Sequence, residues 1–197
     1  MRPSVYLIRM DYLWTPWRYA YLVDALPEGR QGVPEALAAW PGDCHCVFCN
    51  LIEATRFAVE HGTSAIDADR AANIVLRAQH SYIVLNAFPY SSGHLLIVPY
   101  AHQETLAGLE QAAALEIMTL AQRTDAVLRR VYTPHGINMG VNLGKAAGAG
   151  VAGHLHMHAL PRWLGDSNFM TVIGETRVLP ETLQTTWKRL REAFDQG

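Results

Sequence analysis

Residues 153–163 read Gly-His-Leu-His-Met-His-Ala-Leu-Pro-Arg-Trp and carry three of the nine histidines of the chain at every second position. Alternation with period two is the pattern of a strand. It puts His154, His156 and His158 on one face, with Leu155, Met157 and Ala159 turned toward a core. A buried imidazole needs hydrogen-bond partners, so packing alone would have to be satisfied three times over. Two chemical readings remain, a metal site and a nucleophile with supporting groups. Three ligands from one flat strand make poor tetrahedral geometry, which counts against an all-histidine metal site. Just upstream, Gly144-Lys145-Ala146-Ala147-Gly148-Ala149-Gly150 is a loop with few side chains. Its backbone amides can approach an anion closely.

A second cluster lies far away in sequence. Cys44, Cys46 and Cys49 fall within six residues. A disulfide framework would spread them out, so the clustering points to metal or to reduced thiols. Cys46-Val47-Phe48-Cys49 is a Cys-x-x-Cys turn that presents two thiolates to one metal, usually zinc, which then needs two more ligands. A redox pair is the rival reading, but no thioredoxin-like strand-helix-strand pattern surrounds it. Residues 10–22 are dense in aromatics and read as a segment packing on the domain or on a partner subunit.

The run His154-Leu155-His156-Met157-His158-Ala159-Leu160 resembles the signature of the histidine-triad (HIT) superfamily of nucleotide hydrolases and nucleotidyl transferases. Asn86, Pro89, Gly93, His94, Ile97, Pro99 and His102 are spaced as in its second motif. Leu13-Trp14-Thr15-Pro16-Trp17-Arg18 and Pro161-Arg162-Trp163-Leu164-Gly165-Asp166-Ser167-Asn168-Phe169 are similar to segments of the bacterial diadenosine-polyphosphate phosphorylase-like branch. The resemblance covers about residues 10–170. It implies His156 as nucleophile, with His158 holding a nonbridging phosphate oxygen. It implies phosphate contacts from His94, Asn142 and the amides of residues 148–150 (Gly148 and Gly150 among them), and a ribose contact from Asn86. Trp163 is either part of the nucleotide site or a core or interface aromatic. By the same resemblance Cys46, Cys49, His102 and His154 are the ligands of a structural zinc, and the chain forms a homodimer. One position departs from the family: four residues before the first histidine many members carry Gln or Ser, and this chain has Gly150.

The function implied is phosphorolysis of diadenosine tetraphosphate to ATP and ADP through a nucleotidyl-His156 intermediate. The partners are then a dinucleoside polyphosphate or adenine nucleotide and inorganic phosphate. The alternatives are a diadenosine-polyphosphate hydrolase, an adenosine phosphoramidase and a non-catalytic nucleotide-binding protein.

These residues need a scaffold. Residues 74–76, 82–86, 93–99 and 137–143 read as strands, and the triad strand returns antiparallel to the last of them. The run Gly93-His94-Leu95-Leu96-Ile97-Val98-Pro99 is nearly all apolar and is expected at the centre of the sheet. Residues 106–132 read as one long helix with Ile117, Leu120, Ala121, Leu128 and Val131 on its buried face. Glu116, Arg123, Arg129 and Arg130 suit its solvated side. Pro180 opens a last helix with Leu183, Trp187, Leu190 and Phe194 as its apolar stripe. Residues 25–43 read as a loop with one helical turn near 35–40. The expected fold is α+β, an antiparallel sheet of about five strands with one long helix and a C-terminal helix. A single HIT-like domain spans 1–197, with 1–9 as an extension, 10–45 as an N-terminal arm and loop, 46–170 as the core and 180–195 as the last helix.

With 197 residues, half of them hydrophobic, and a net charge of −2, the chain has the composition of an ordinary globular protein. It lacks the basic bias that extended nucleic acid would require. Its apolar runs are too short to span a membrane and no signal-peptide core is present, so a cytoplasmic protein is expected.

Overall fold

The structure is a computed structural model that describes residues 30–166 and 180–196. The aromatic segment 10–22 and residues 167–169 of the downstream motif lie outside the described residues.

Five strands form one sheet: β1 (Ile74–Arg77), β2 (Ser81–Leu85), β3 (Leu95–Pro99), β4 (Gly136–Val141) and β5 (Met157–Arg162). Their order is β1-β2-β3-β5-β4, and all neighbours are antiparallel. The apolar β3 is central and buried along its whole length. β4, which carries Gly136, Asn138 and Gly140 at alternate positions, is an edge strand and the most exposed of the five. Period-two alternation sends Ile83, Leu85, Leu95, Ile97 and Ala159 to one face, and Tyr82, Val84, Leu96 and Val98 to the other.

Both faces are covered, and two helices beyond the expected long helix and C-terminal helix do part of the covering. On the first face lie α3 (Gln111–Tyr132) and α4 (Leu183–Asp195), packed through Ile117, Leu120, Leu128, Trp187, Leu190 and Phe194. On the second lie α1 (Val47–Glu60) and α2 (Ala65–Ala71), through Phe48, Leu51 and Ala54. The Cys-x-x-Cys segment is not an isolated turn. Cys46 is the extended residue before α1 and Cys49 stands in its first turn. Ser64 caps α2, its Oγ accepting the Asp67 N–H at 3.1 Å.

Three further differences have local causes. The long helix starts at Gln111 because residues Leu106–Gly108 form a separate 3₁₀ turn, with the Thr105 hydroxyl accepting the Gly108 N–H. Glu116 accepts the N–H groups of Gln79 and His80 and so anchors the β1–β2 turn. Arg123 and Arg130 donate to the carbonyls of Phe194 and Ala193, so they tie α3 to the last turn of α4. Cations at a helix C-terminus meet its unpaired carbonyls and the negative end of its dipole.

Leu190 is fully buried between α4 and the sheet. Leu190→Ala is expected to cost about 3 kcal/mol of unfolding free energy. Val59→Ala, at an exposed helix position, should stay within about 0.5 kcal/mol. Urea denaturation of both variants checks the contrast.

Candidate active site and metal-ligand cluster

Only His158 of the three triad histidines lies within β5, because the strand begins at Met157. His154 and His156 occupy the segment that leads into it, and both are buried. The segment is held by the Leu155 N–H, which donates to the Gln103 carbonyl at 2.6 Å. Leu155 still turns into the core, as alternation demands. His158 pairs with Leu96 of β3 and with Gly140 of β4, which puts it on the α1-covered face.

Hydrogen bonds fix the proton position on four imidazoles. A carbonyl oxygen can only accept, so the ring nitrogen facing it must be protonated. His156 Nδ1–H donates to the His154 carbonyl at 2.8 Å, which leaves the lone pair on Nε2. His154 Nε2–H donates to the Pro99 carbonyl at 2.9 Å, which leaves the lone pair on Nδ1. His94 Nδ1 accepts the Tyr90 N–H at 3.1 Å, so its proton is on Nε2 and points at His158 Nδ1, 2.9 Å away. His158 therefore carries its own proton on Nε2. Asn86 supports the chain from behind, with Nδ2 3.3 Å from His94 Nδ1 and Oδ1 accepting the Phe88 N–H.

The result is an imidazole lone pair on His156 beside a proton-bearing nitrogen on His158, with ring centroids 5.0 Å apart. Phe48 packs against His156 at 5.1 Å and against His154 at 5.3 Å. Burial pushes the His156 pKa below the usual histidine range, partly opposed by its hydrogen bond to the His154 carbonyl. A neutral imidazole is the nucleophilic form.

Cys46, Cys49, His102 and His154 converge from α1, the segment after β3 and the segment before β5. Their donor atoms all lie within 4.8 Å of one another. Cys46 Sγ is 3.3 Å from His154 Nδ1, Cys49 Sγ is 3.6 Å from the same nitrogen, and Cys49 Sγ is 3.4 Å from His102 Nδ1. Zinc–sulfur and zinc–nitrogen bonds of about 2.3 and 2.0 Å make neighbouring tetrahedral ligands roughly 3.3–3.8 Å apart. The nitrogen His154 offers is the one its bond to Pro99 leaves unprotonated, an arrangement typical of ligating histidines. Burial lowers His154 to about 4. Burial, reinforced by Cys46, pushes the Cys49 thiol up to about 12. A divalent cation reverses that cost, because it binds thiolate. The cluster can hold a metal, and its chemistry there would be structural, since four protein ligands leave no open position.

The other expected residues divide. Asn142 follows directly on β4, where alternation continues the face of Gly140 and His158. In the glycine loop the Gly148 N–H donates to the Lys145 carbonyl and the Ala149 N–H to that of Gly144, so these two amides close the turn of the loop itself. Gly150 is the remaining amide of the three. Trp163 is turned to the opposite side of the sheet, edge-on to Tyr132 of α3 at 6.2 Å, because it stands an odd number of positions from His158. Phe48, Tyr90 and the Pro99 carbonyl complete the site, and no spacing rule singles them out in the sequence.

The chain matches the HIT domain family over residues 68–163. It is 37% identical over 182 residues to the AP-4-A phosphorylase of Mycobacterium tuberculosis, which covers 92% of this chain and 83% of that protein. It is 28% identical over 125 residues to an uncharacterized HIT-like protein of Saccharolobus solfataricus, covering 64% of this chain and 79% of the other. The fold is similar to that of a Zn-bound histidine triad family protein from Mycobacterium smegmatis, with a TM-score of 0.55 and 25% identity over 77% of this chain and 94% of that one.

Replacing Cys46 with serine should release metal and lower the melting temperature far more than it changes the rate of the folded fraction. Metal analysis paired with a thermal melt tests this. Full zinc content at an unchanged melting temperature would dismiss the cluster as a ligand set.

Proposed function

This chain belongs to the HIT family and is an enzyme, and we propose that it splits dinucleoside polyphosphates by nucleotidyl transfer through His156. The proposed reaction is phosphorolysis of diadenosine tetraphosphate to ATP and ADP. One observation carries the reading: the His156 Nδ1–H bond to the His154 carbonyl leaves Nε2 unprotonated, with the ring of His158 5.0 Å away. The M. tuberculosis relative named as an AP-4-A phosphorylase supports the choice of substrate.

In the first step His156 Nε2 forms a bond to an α-phosphorus, the α–β bridging P–O bond breaks, and ATP leaves with that oxygen. Adenylate stays on His156. In the second step an oxygen of inorganic phosphate attacks the same phosphorus, the P–N bond breaks and ADP leaves. Nε2 regains its lone pair, so the enzyme is regenerated without net proton change on the ring. His158 Nε2–H donates to a phosphate oxygen as charge develops, and Asn142 and the Gly150 amide add donors from the loop side. His94 keeps His158 in the donating tautomer. Splitting one displacement into two is the advantage of the covalent route.

We assign zinc to the Cys46–Cys49–His102–His154 cluster, where bound metal supplies a rigid tie between α1 and the triad segment. The cysteine cluster supports a reducing compartment such as the cytoplasm, and no helix among the described residues is long and apolar enough to cross a membrane. We propose a homodimer, supported by the edge position of β4 and the exposure of Met139 and Leu143 there, and of Leu115 and Met118 on α3.

Incubation with diadenosine tetraphosphate, with and without phosphate, tests the reaction. ATP plus ADP only when phosphate is present is the expected result. ATP plus AMP under both conditions would make the protein a hydrolase. His156→Ala should abolish the adenylyl-enzyme seen by mass spectrometry and lower turnover about a thousandfold or more. An unchanged rate would remove the mechanism. Sedimentation should report a dimer for the native chain and a monomer for the double variant Leu115→Asp, Met118→Asp.

A further inference from the structure

We propose that Lys145 holds the phosphate that lies on the side of the α-phosphorus away from His156. In the first step this is the β-phosphate of the substrate, and in the second it is the incoming inorganic phosphate. The proposal rests on the reading of His156 as nucleophile and adds what selects phosphate over water as acceptor.

The argument begins with charge. Every phosphate of a polyphosphate bridge is ionised at neutral pH, yet the rings packed against His156 are those of Phe48 and His158, and neither is a fixed cation. The arginines among the described residues are engaged with carboxylates or backbone carbonyls. Arg162, the one nearest in sequence to the triad, gives two bonds to Asp166 at 2.6 and 2.7 Å and one to Asn138. Among the described residues two lysines remain, Lys145 and Lys188. Lys188 is on α4, which packs on the sheet face opposite the histidines. Lys145 is the sole Lys, Arg, Asp or Glu between residues 139 and 161.

Placement comes next. The β4–β5 register ends at the pair Val141 and Met157, so residues 142–156 bridge that end of the sheet, and His156 is the last of them. Lys145 opens the 3₁₀ turn Lys145–Ala147 and is exposed. The turn is built to a definite shape by Gly144 at φ +80° and Gly148 at φ +87°. The Ala147 N–H closes on the Gly144 carbonyl at 3.2 Å and the Gly148 N–H on the Lys145 carbonyl at 2.9 Å. The backbone just before it is open, since a Cβ added at Gly144 would meet nothing within 4 Å.

Stereochemistry then gives one cation two duties. Each displacement is in line, so the first leaving group departs from the side opposite His156. The acceptor must enter from that same side. A cation that steadies the departing β-phosphate therefore stands where inorganic phosphate has to bind. Water as acceptor gains nothing from it.

The test compares the native chain with Lys145→Ala and Lys145→Arg. Calorimetric titration measures ADP and AMP binding, and chromatography measures the ADP:AMP product ratio from diadenosine tetraphosphate at a fixed, subsaturating phosphate concentration. Lys145→Ala should weaken ADP about tenfold while AMP stays within about twofold, the size expected for one screened charge pair. The product ratio should fall about tenfold, and Lys145→Arg should keep both near native values. Equal loss for ADP and AMP, or an ADP affinity that does not change, would overturn the assignment. Failure of the nucleotidyl-histidine reading shows separately, as a native enzyme that never carries adenylate on His156. The ADP-to-AMP affinity ratio still decides the role of Lys145 in that case.

Discussion

The site depends on His154, which is bonded in three directions at once. Its Nε2–H is tied to the Pro99 carbonyl at the end of β3, its Nδ1 faces two cysteines of α1, and its own carbonyl accepts the proton of His156 Nδ1. A shift in its ring would move the cluster of Cys46, Cys49 and His102, and a shift in its backbone would release the tautomer of His156, the proposed nucleophile. Reactive and structural halves of the molecule thus meet in one residue. A metal at the cluster would stiffen the reactive half without touching the substrate, because second-shell ties control ligand orientation.

The histidines work as a wired set. Each has one nitrogen committed to a neighbour, and the commitment decides what the other nitrogen can do. Tyr90 and Asn86 set His94, His94 sets His158, and the His154 carbonyl sets His156. Burial beneath Phe48 and the helical layer raises the cost of an imidazolium and so favours the neutral, nucleophilic ring. Attraction for the proposed anionic substrate then has to come from elsewhere, which is the physical opening for a cationic side chain on an otherwise uncharged loop.

The two-sided sheet makes this precision affordable. A central strand buried on both faces cannot slip its register without exposing one hydrophobic set and burying the wrong residues. β3 is such a strand, and His94 and the Pro99 carbonyl bracket it. Arg123 and Arg130, reaching from α3 to the carbonyl end of α4, close the opposite layer by charge and hydrogen bonding.

Period and composition alone determined the five antiparallel strands, the central place of the apolar β3, the two helices of one layer and the histidine face, because alternation and helical spacing are local properties of the chain. The four residues of the candidate metal cluster were legible through motif resemblance. Their convergence was not: Cys46 and His154 are 108 positions apart and meet at 3.3 Å only when α1 lies on the sheet. α1 and α2 went unread although Phe48, Leu51 and Thr55 follow helical spacing and Ser64 caps α2; helices of 14 and 7 residues are marginal alone and are stabilised by the sheet they cover. The strand assigned to the whole triad shortened to begin at Met157, since the Leu155 N–H found the Gln103 carbonyl, a contact between segments far apart in sequence. Tautomers, too, belong to the tertiary structure. An imidazole carries no preference strong enough to choose its own protonated nitrogen; the carbonyl or amide that folding brings to it makes the choice.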